Sequence, residues 1–153
     1  MTTGGTVIMG YATYKSLGGK PLKNRQNVVI TSKDVELDGF IVVHSVEEAV
    51  SCVEGEDTTN VWVIGGSSIY EQMLPLCEYA YVTFNQNTDV CDRFFPNLED
   101  DDTWVRDRTC HFGVNDDGYM YVIYLYRNTE LKPYPAFEDY RAFGVKDSIS
   151  YLR

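Results

Sequence analysis

The sequence predicts an α/β protein, a mostly parallel twisted sheet flanked by helices and finished by an antiparallel hairpin. Three observations carry that expectation. Short β-branched runs alternate with helical patterns along the first half of the chain. Twice such a run stops at glycine and a helix begins at once, at Gly10 and at Gly65-Gly66. The last two extended runs flank Asn115-Asp116-Asp117-Gly118, a hairpin turn. Alternation of this kind places strands in parallel with helices on both faces. Ligands of such sheets gather at the carboxyl ends of the strands, where Gly10, Ser32, Gly65 and Gly66 are expected.

Thr6-Val7-Ile8-Met9 reads as a buried strand ended by Gly10, and a short helix over 12–17 is closed by Gly18-Gly19. A polar connection with Pro21, Leu22 and Arg25 feeds a strand over 27–32, and an acidic turn leads to another over 40–44. Ser45-Val46-Glu47-Glu48 fits a capping box, so a helix should run to about Val53. Val61-Trp62-Val63-Ile64 is uncharged and suits a strand covered on both faces. Ser67 or Ser68 can cap the following helix; Ile69, Met73 and Leu76 recur at helical spacing, and Pro75 falls in the last turn. A strand over 79–84, a loop over 85–96 and hairpin strands over 104–112 and 119–126 complete a domain of residues 1–127. Residues 128–153 form a tail. Pro133 and Pro135 favour an extended start, Tyr134, Phe137, Tyr140 and Phe143 favour docking on the same domain, and 147–153 reads as a short amphipathic helix with Ile149 and Leu152 inward.

A chain of 153 residues, 44% of them hydrophobic, is enough for one domain with a real core. The formal charge of -10 works against nucleic acid or an anionic membrane as a partner, because either needs a basic face. An anionic ligand must therefore be held by local groups. Cys52, Cys77, Cys91 and Cys110 are far apart, with only His44 and His111 to complete a metal site. They read as reduced, mostly buried thiols of a cytoplasmic protein, and no metal is expected. No apolar stretch approaches a membrane span, and the first residues lack the basic and apolar regions of a secretory leader.

A strand, Gly-Gly and a helix start let a phosphate approach bare backbone N–H groups, although the same pair serves as an ordinary tight turn. The wider context is more specific. Val7-Ile8-Met9-Gly10-x-x-Thr13-Tyr14-x-Ser16-Leu17-Gly18, Pro21-Leu22-x-x-Arg25-x-Asn27-Val28-Val29, Val43-His44-Ser45-Val46-Glu47-Glu48-Ala49 and Val63-Ile64-Gly65-Gly66-x-x-Ile69-Tyr70-Glu71-Gln72-x-Leu74-Pro75 occur in one register, followed by Tyr81-Val82-Thr83 and Phe94-Phe95-Pro96. Together they resemble dihydrofolate reductase.

The resemblance implies that family's fold and its reaction, NADPH-dependent reduction of 7,8-dihydrofolate to tetrahydrofolate in one-carbon metabolism, with folate or an antifolate as the small-molecule partner. By the same resemblance Gly10 and Thr13 receive the cofactor pyrophosphate. Gly65 and Gly66, joined by a cis peptide and followed by Ser67 and Ser68, close against the cofactor. Ile64 borders nicotinamide and pterin, Tyr70 lies beside the nicotinamide ribose, and Leu22 packs on the aminobenzoyl ring. Arg25 holds the folate α-carboxylate, a pairing that suits guanidinium. Thr83 orients the catalytic acid and the pterin. Each residue also has a plainer reading: Ile64 and Leu22 suit any core, Arg25 a solvated loop, Thr83 an ordinary strand and Tyr70 simple packing.

The family begins with a central strand, a mobile loop and a helix carrying the catalytic Asp or Glu; the matched stretches here begin after all three. A sheet lacking a central strand leaves backbone groups unpaired, at about 1–3 kcal/mol for each buried one, and its open edge would permit self-association. The tail is one candidate to replace the helix. Ser148-Ile149-Ser150-Tyr151-Leu152-Arg153 loosely resembles it, with Ser148 or, one position over, Asp147 in the acid's place, as in a circular permutation. No segment after Arg127 reads as the apolar first strand, and a shortened chain with a surface-packed tail is the alternative. Cofactor choice departs too: Tyr11 replaces the arginine for the 2′-phosphate and Ser68 a frequent basic residue, with Ser32 and Lys33 as partial compensation. NADH thus stays open beside NADPH. The rivals are a catalytically incomplete homologue that binds dinucleotide, a reductase of another pterin-like or riboflavin-precursor substrate, and a module that exchanges strands through its edge.

Overall fold

β1 (Thr6–Gly10) is buried at every position, as a strand covered on both faces must be. It pairs in parallel with β2 (Gln26–Ile30) on one side and β4 (Val61–Val63) on the other, and β3 (Ile41–Val43) extends the same parallel set beyond β2. The computed structural model describes residues 1–86 and 94–131, and the backbone of 145–150. Cys91, Pro133, Tyr134, Pro135, Phe137, Tyr140, Phe143, Tyr151, Leu152, Arg153 and part of the 85–96 loop lie outside the described residues.

Period-two alternation sends Ile8, Val28, Val61 and Val63 to one face and Val7, Met9, Val29 and Trp62 to the other. The first face is covered by α2 (Val46–Ser51) and α3 (Ser67–Met73), which contribute Ala49, Val50, Ile69 and Met73. The second is covered by α1 (Tyr11–Ser16) through Tyr11 and Tyr14, together with Leu22, Phe40, Ile64 and Tyr81. Helices on both faces are what alternating strand and helix patterns require.

Helix starts differ in detail from expectation. Ser45 Oγ accepts the Glu48 N–H at 3.1 Å, but the Glu48 carboxylate accepts from the His44 N–H at 2.8 Å, one residue beyond the usual capping-box target. Neither Ser67 nor Ser68 caps α3. Gly66 is its N-cap, because the Gly66 carbonyl already accepts from Ile69 at 2.9 Å and Tyr70 at 3.0 Å. Pro75 cannot donate to a helical ladder, and the chain tightens into a 3₁₀ turn over Leu74–Leu76.

β5 (Cys77–Asn85), β6 (Trp104–Val114) and β7 (Met120–Asn128) form the antiparallel part, with β7 between the other two. The Asn115 side chain closes the hairpin by accepting from the Asp117 and Tyr119 N–H groups at 3.1 and 2.8 Å, and Gly118 takes φ +85°. The tail overturns one expectation. Val145–Ser150 is a strand, β8, and not part of a helix over 147–153. It lies in parallel between β4 and β5, with Val145 opposite both Val61 and Cys77, so a segment after Arg127 does take the central slot. β5 supplies a backbone ladder along the segment and β4 pairs with it at Val61, whereas an isolated helix this short is marginal. The sheet order is β3-β2-β1-β4-β8-β5-β7-β6. The thiols also differ from expectation: Cys77 is buried and Cys52 half-buried, but Cys110, on the outermost strand, is exposed. Among the described residues no helix is long and apolar enough to cross a membrane.

Candidate functional site

The register puts Gly10 opposite Ile30 and Ile30 opposite Val43, so the ends of β1, β2 and β3 are level. The two strand-glycine-helix units meet there. The Gly10 N–H donates to the Gly65 carbonyl at 2.6 Å, and the Ile64 N–H donates to the Ile8 carbonyl at 2.9 Å. A Cβ on Gly10 would lie 2.8 Å from Ile69 Cγ1, so only glycine lets β1 end so close to α3. Gly65, at φ +105°, leaves room for the Tyr70 ring, and the Gly65-Gly66 peptide is cis, as the resemblance implies. Around Gly66 the backbone is open: a Cβ there would meet only the Thr13 hydroxyl, at 3.6 Å. Thr13, Gly10, Gly65, Gly66 and Ser67 therefore meet in one notch between the starts of α1 and α3, with Gly10 and Gly65 buried and Thr13, Gly66 and Ser67 half-buried. Ser68 is exposed on α3.

Ser32 and Lys33 follow β2 at the same end. The Thr31 N–H donates to the Val43 carbonyl at 2.9 Å, His44 Nδ1 bonds the Thr31 carbonyl at 2.8 Å, and the Lys33 N–H donates to the Thr31 hydroxyl at 3.2 Å, which ties this turn to β3. Lys33 Nζ sits 4.3 Å from the centroid of the Tyr11 ring. A cation is thus held over the residue that stands where the resemblance leads one to expect arginine.

Leu22, Ile64 and Tyr81 pack in one cluster on the α1 face, and Thr83 shares that face by alternation from Tyr81. Burial, then the nearby Cys110, push the Tyr81 phenol above its usual range, with Arg108 opposing. Tyr70 is buried, its ring edge-on to Phe95 at 4.9 Å, so it belongs largely to the core. Arg25 lies apart, at the amino end of β2. Its Nε donates to the Lys23 carbonyl at 3.0 Å, and its guanidinium bonds the hydroxyls of Thr2 and Thr3. These partners are all neutral oxygens. Arg25 also lines a cavity of about 490 Å³ with Thr6, Gln26, Glu56 and Asp57, at the end of the sheet opposite the glycines. Asp147 is on β8 with its Cα opposite Ala80, three residues before Thr83, and not on a helix beside it. At about 3.3 Å per residue that is about 10 Å along the strand.

Sequence reasoning did not single out Asn27, which is buried and bonded to the loop that carries Leu22 and Arg25. An asparagine at the head of an apolar strand was the available signal. Among the described residues no group of three or more His, Cys, Asp or Glu is arranged to hold a metal ion.

The fold defines an α/β protein with helices on both faces of its parallel strands and the glycine notch at their carboxyl ends. The model of the dihydrofolate reductase family matches residues 1–128, and the chain belongs to that family. It is 40% identical over 103 residues to the dihydrofolate reductase of Heliothis virescens, covering 61% of this chain and 56% of that one. With the enzyme of Bacillus subtilis (strain 168) it shares 35% over 105 residues, 68% of this chain and 60% of the relative. The chain thus spans little more than half the length of these curated relatives. A solved dihydrofolate reductase from Enterococcus faecalis, complexed with NADP(H) and RAB-propyl, superposes with a TM-score of 0.72 at 32% identity, over 83% of this chain and 76% of that one.

Proposed function

We propose that this chain acts as a dihydrofolate reductase, reducing 7,8-dihydrofolate to tetrahydrofolate with NADPH in one-carbon metabolism. The observation that carries the reading is the family match over 1–128 together with the meeting of Gly10, Gly65, Gly66 and Thr13 in one notch. NADPH, when bound, supplies the hydride. The notch fits it, because the Gly66 backbone is bare and the Thr13 hydroxyl faces it, ready to meet pyrophosphate. Ser67 and Ser68 flank that contact, and Ile64 separates the nicotinamide from the sheet. Tyr70 supports the notch from the core side by packing under Gly65.

On the substrate side Leu22 supports the aminobenzoyl ring and Arg25 receives the α-carboxylate. Among the described residues the guanidinium bonds neutral oxygens, which leaves its charge for an anionic ligand. Thr83 hydrogen-bonds the pterin. The proton donor is left unassigned, since the register of β8 keeps Asp147 away from Thr83. Lys33, over Tyr11, with Ser32 takes the 2′-phosphate, which favours NADPH over NADH. The domain of this reaction is residues 1–127, which the tail joins where β8 pairs with β4 and β5, and the dispersed thiols suit the cytoplasm. Self-association would use the outer edge at β6, where Val105, Phe112 and Val114 are exposed; a size that changes on dilution is its readout.

The test is titration of the chain with NADPH and NADH by nicotinamide fluorescence, followed by a dihydrofolate-dependent absorbance assay. Saturable NADPH binding with turnover stopped by an antifolate is the expected result. Binding without turnover would leave a catalytically incomplete homologue. Turnover of a riboflavin precursor in place of dihydrofolate would move the substrate class.

A further inference from the structure

Asn27 is 3% exposed on a strand face otherwise given to Val7, Val29 and Trp62. A buried amide without partners is costly, so its bonds account for its presence. Its Oδ1 accepts the Leu22 N–H at 3.0 Å, while its Nδ2 donates to the carbonyls of Leu22 and Arg25, both at 3.0 Å. One side chain thus pairs both backbone groups of Leu22, as a neighbouring strand would, and fixes the backbone of Arg25 as well.

We propose that Asn27 is a positioning residue for the glutamate-bearing end of the folate substrate, acting through Leu22 and Arg25; the inference rests on the folate reading above. The loop over 22–25 has no ladder of its own, and Asn24 adopts φ +59° within it. Without the amide, Leu22 loses its place in the α1-face cluster and Arg25 its backbone anchor. The side-chain bonds of Arg25 to Lys23, Thr2 and Thr3 orient the guanidinium only if that backbone is fixed. A clamp of this kind removes ordering that the ligand would otherwise have to impose. The notch at Gly10 and Gly66 is at the other end of the strands, so cofactor affinity should not depend on Asn27.

The variants are Asn27→Asp, which keeps the acceptor for Leu22 N–H but turns an oxygen toward two carbonyls, and Asn27→Ser, which is too short to span the loop. Each is titrated with NADPH, with an antifolate carrying the aminobenzoyl-glutamate tail and with a pyrimidine antifolate lacking it. Steady-state kinetics with dihydrofolate accompany the titrations. Loss of the clamp should weaken the tailed ligand and raise KM by about ten-fold or more, leaving kcat, NADPH and the tailless ligand within about two-fold. Equal weakening of both antifolates, or a fall in kcat at unchanged KM, overturns the proposal. So does loss of NADPH binding in both variants, which would make Asn27 a support of the fold alone. Wild-type chain that binds NADPH but neither antifolate would remove the folate reading itself, and that outcome is visible before any variant is made.

Discussion

The parallel strands β1 to β4 and the hairpin β6–β7 share one sheet but differ in what covers them. β1 is buried along its length, with helices on both faces, whereas β6 is exposed at nearly every position after Trp104. On the hairpin Val114 opposes Met120 and Phe112 opposes Val122, and Phe112 is 79% exposed. The difference separates two jobs. Parallel strands need crossover helices, those helices begin at the strand ends, and the glycine notch arises at that junction. A hairpin closes on itself with a local turn, and its far edge is left to solvent.

Ile8, fully buried between β2 and β4, is where the covered half of the sheet is most sensitive. Ile8→Ala should cost about 2–5 kcal/mol in denaturant unfolding, through lost burial and the cavity left behind. Next comes the junction: Gly10→Ala should cost about 1–3 kcal/mol from the clash with Ile69. It should also weaken NADPH in the fluorescence titration, since β1 and α3 can then no longer close on each other. A smaller effect is expected on the alkaline side. Tyr81 has its pKa raised in the fold, so its contribution to stability is present below the unfolded value of about 10 and is lost as pH rises through the folded one. Tyr81→Phe should flatten that part of a stability-against-pH profile. The smallest change belongs to the hairpin tip, where Phe112→Ser should move stability by no more than about 0.5 kcal/mol. A Phe112→Ser cost as large as that of Ile8→Ala would show that the hairpin face is covered in solution.

Much of the parallel half could be read from the chain because its signals are local. Val61-Trp62-Val63-Ile64 and the glycines after it identify a strand end whatever the rest of the sheet does, and Ser45 caps α2 as its spacing from Glu48 implies. Gly10, Gly65 and Gly66 were legible as a pair of turns and, through the resemblance, as one site. That the Gly10 N–H meets the Gly65 carbonyl was not, because the contact joins two units more than fifty residues apart. Arg25 was legible as a residue type, but its end of the sheet and its partners Thr2 and Thr3 were not.

The sequence by itself determined the strand and helix periods, the hairpin turn at Asn115 and the family motifs, since each depends on neighbours within a few residues. Tertiary structure decided which residue caps α3, what Lys33 lies over and what Asn27 clamps. It also decided the tail. Val145–Ser150 carries no strong strand pattern of its own and becomes a strand between β4 and β5, pairing along β5 and with β4 at Val61. Such a choice depends on a ladder formed by distant segments, and no local period encodes it.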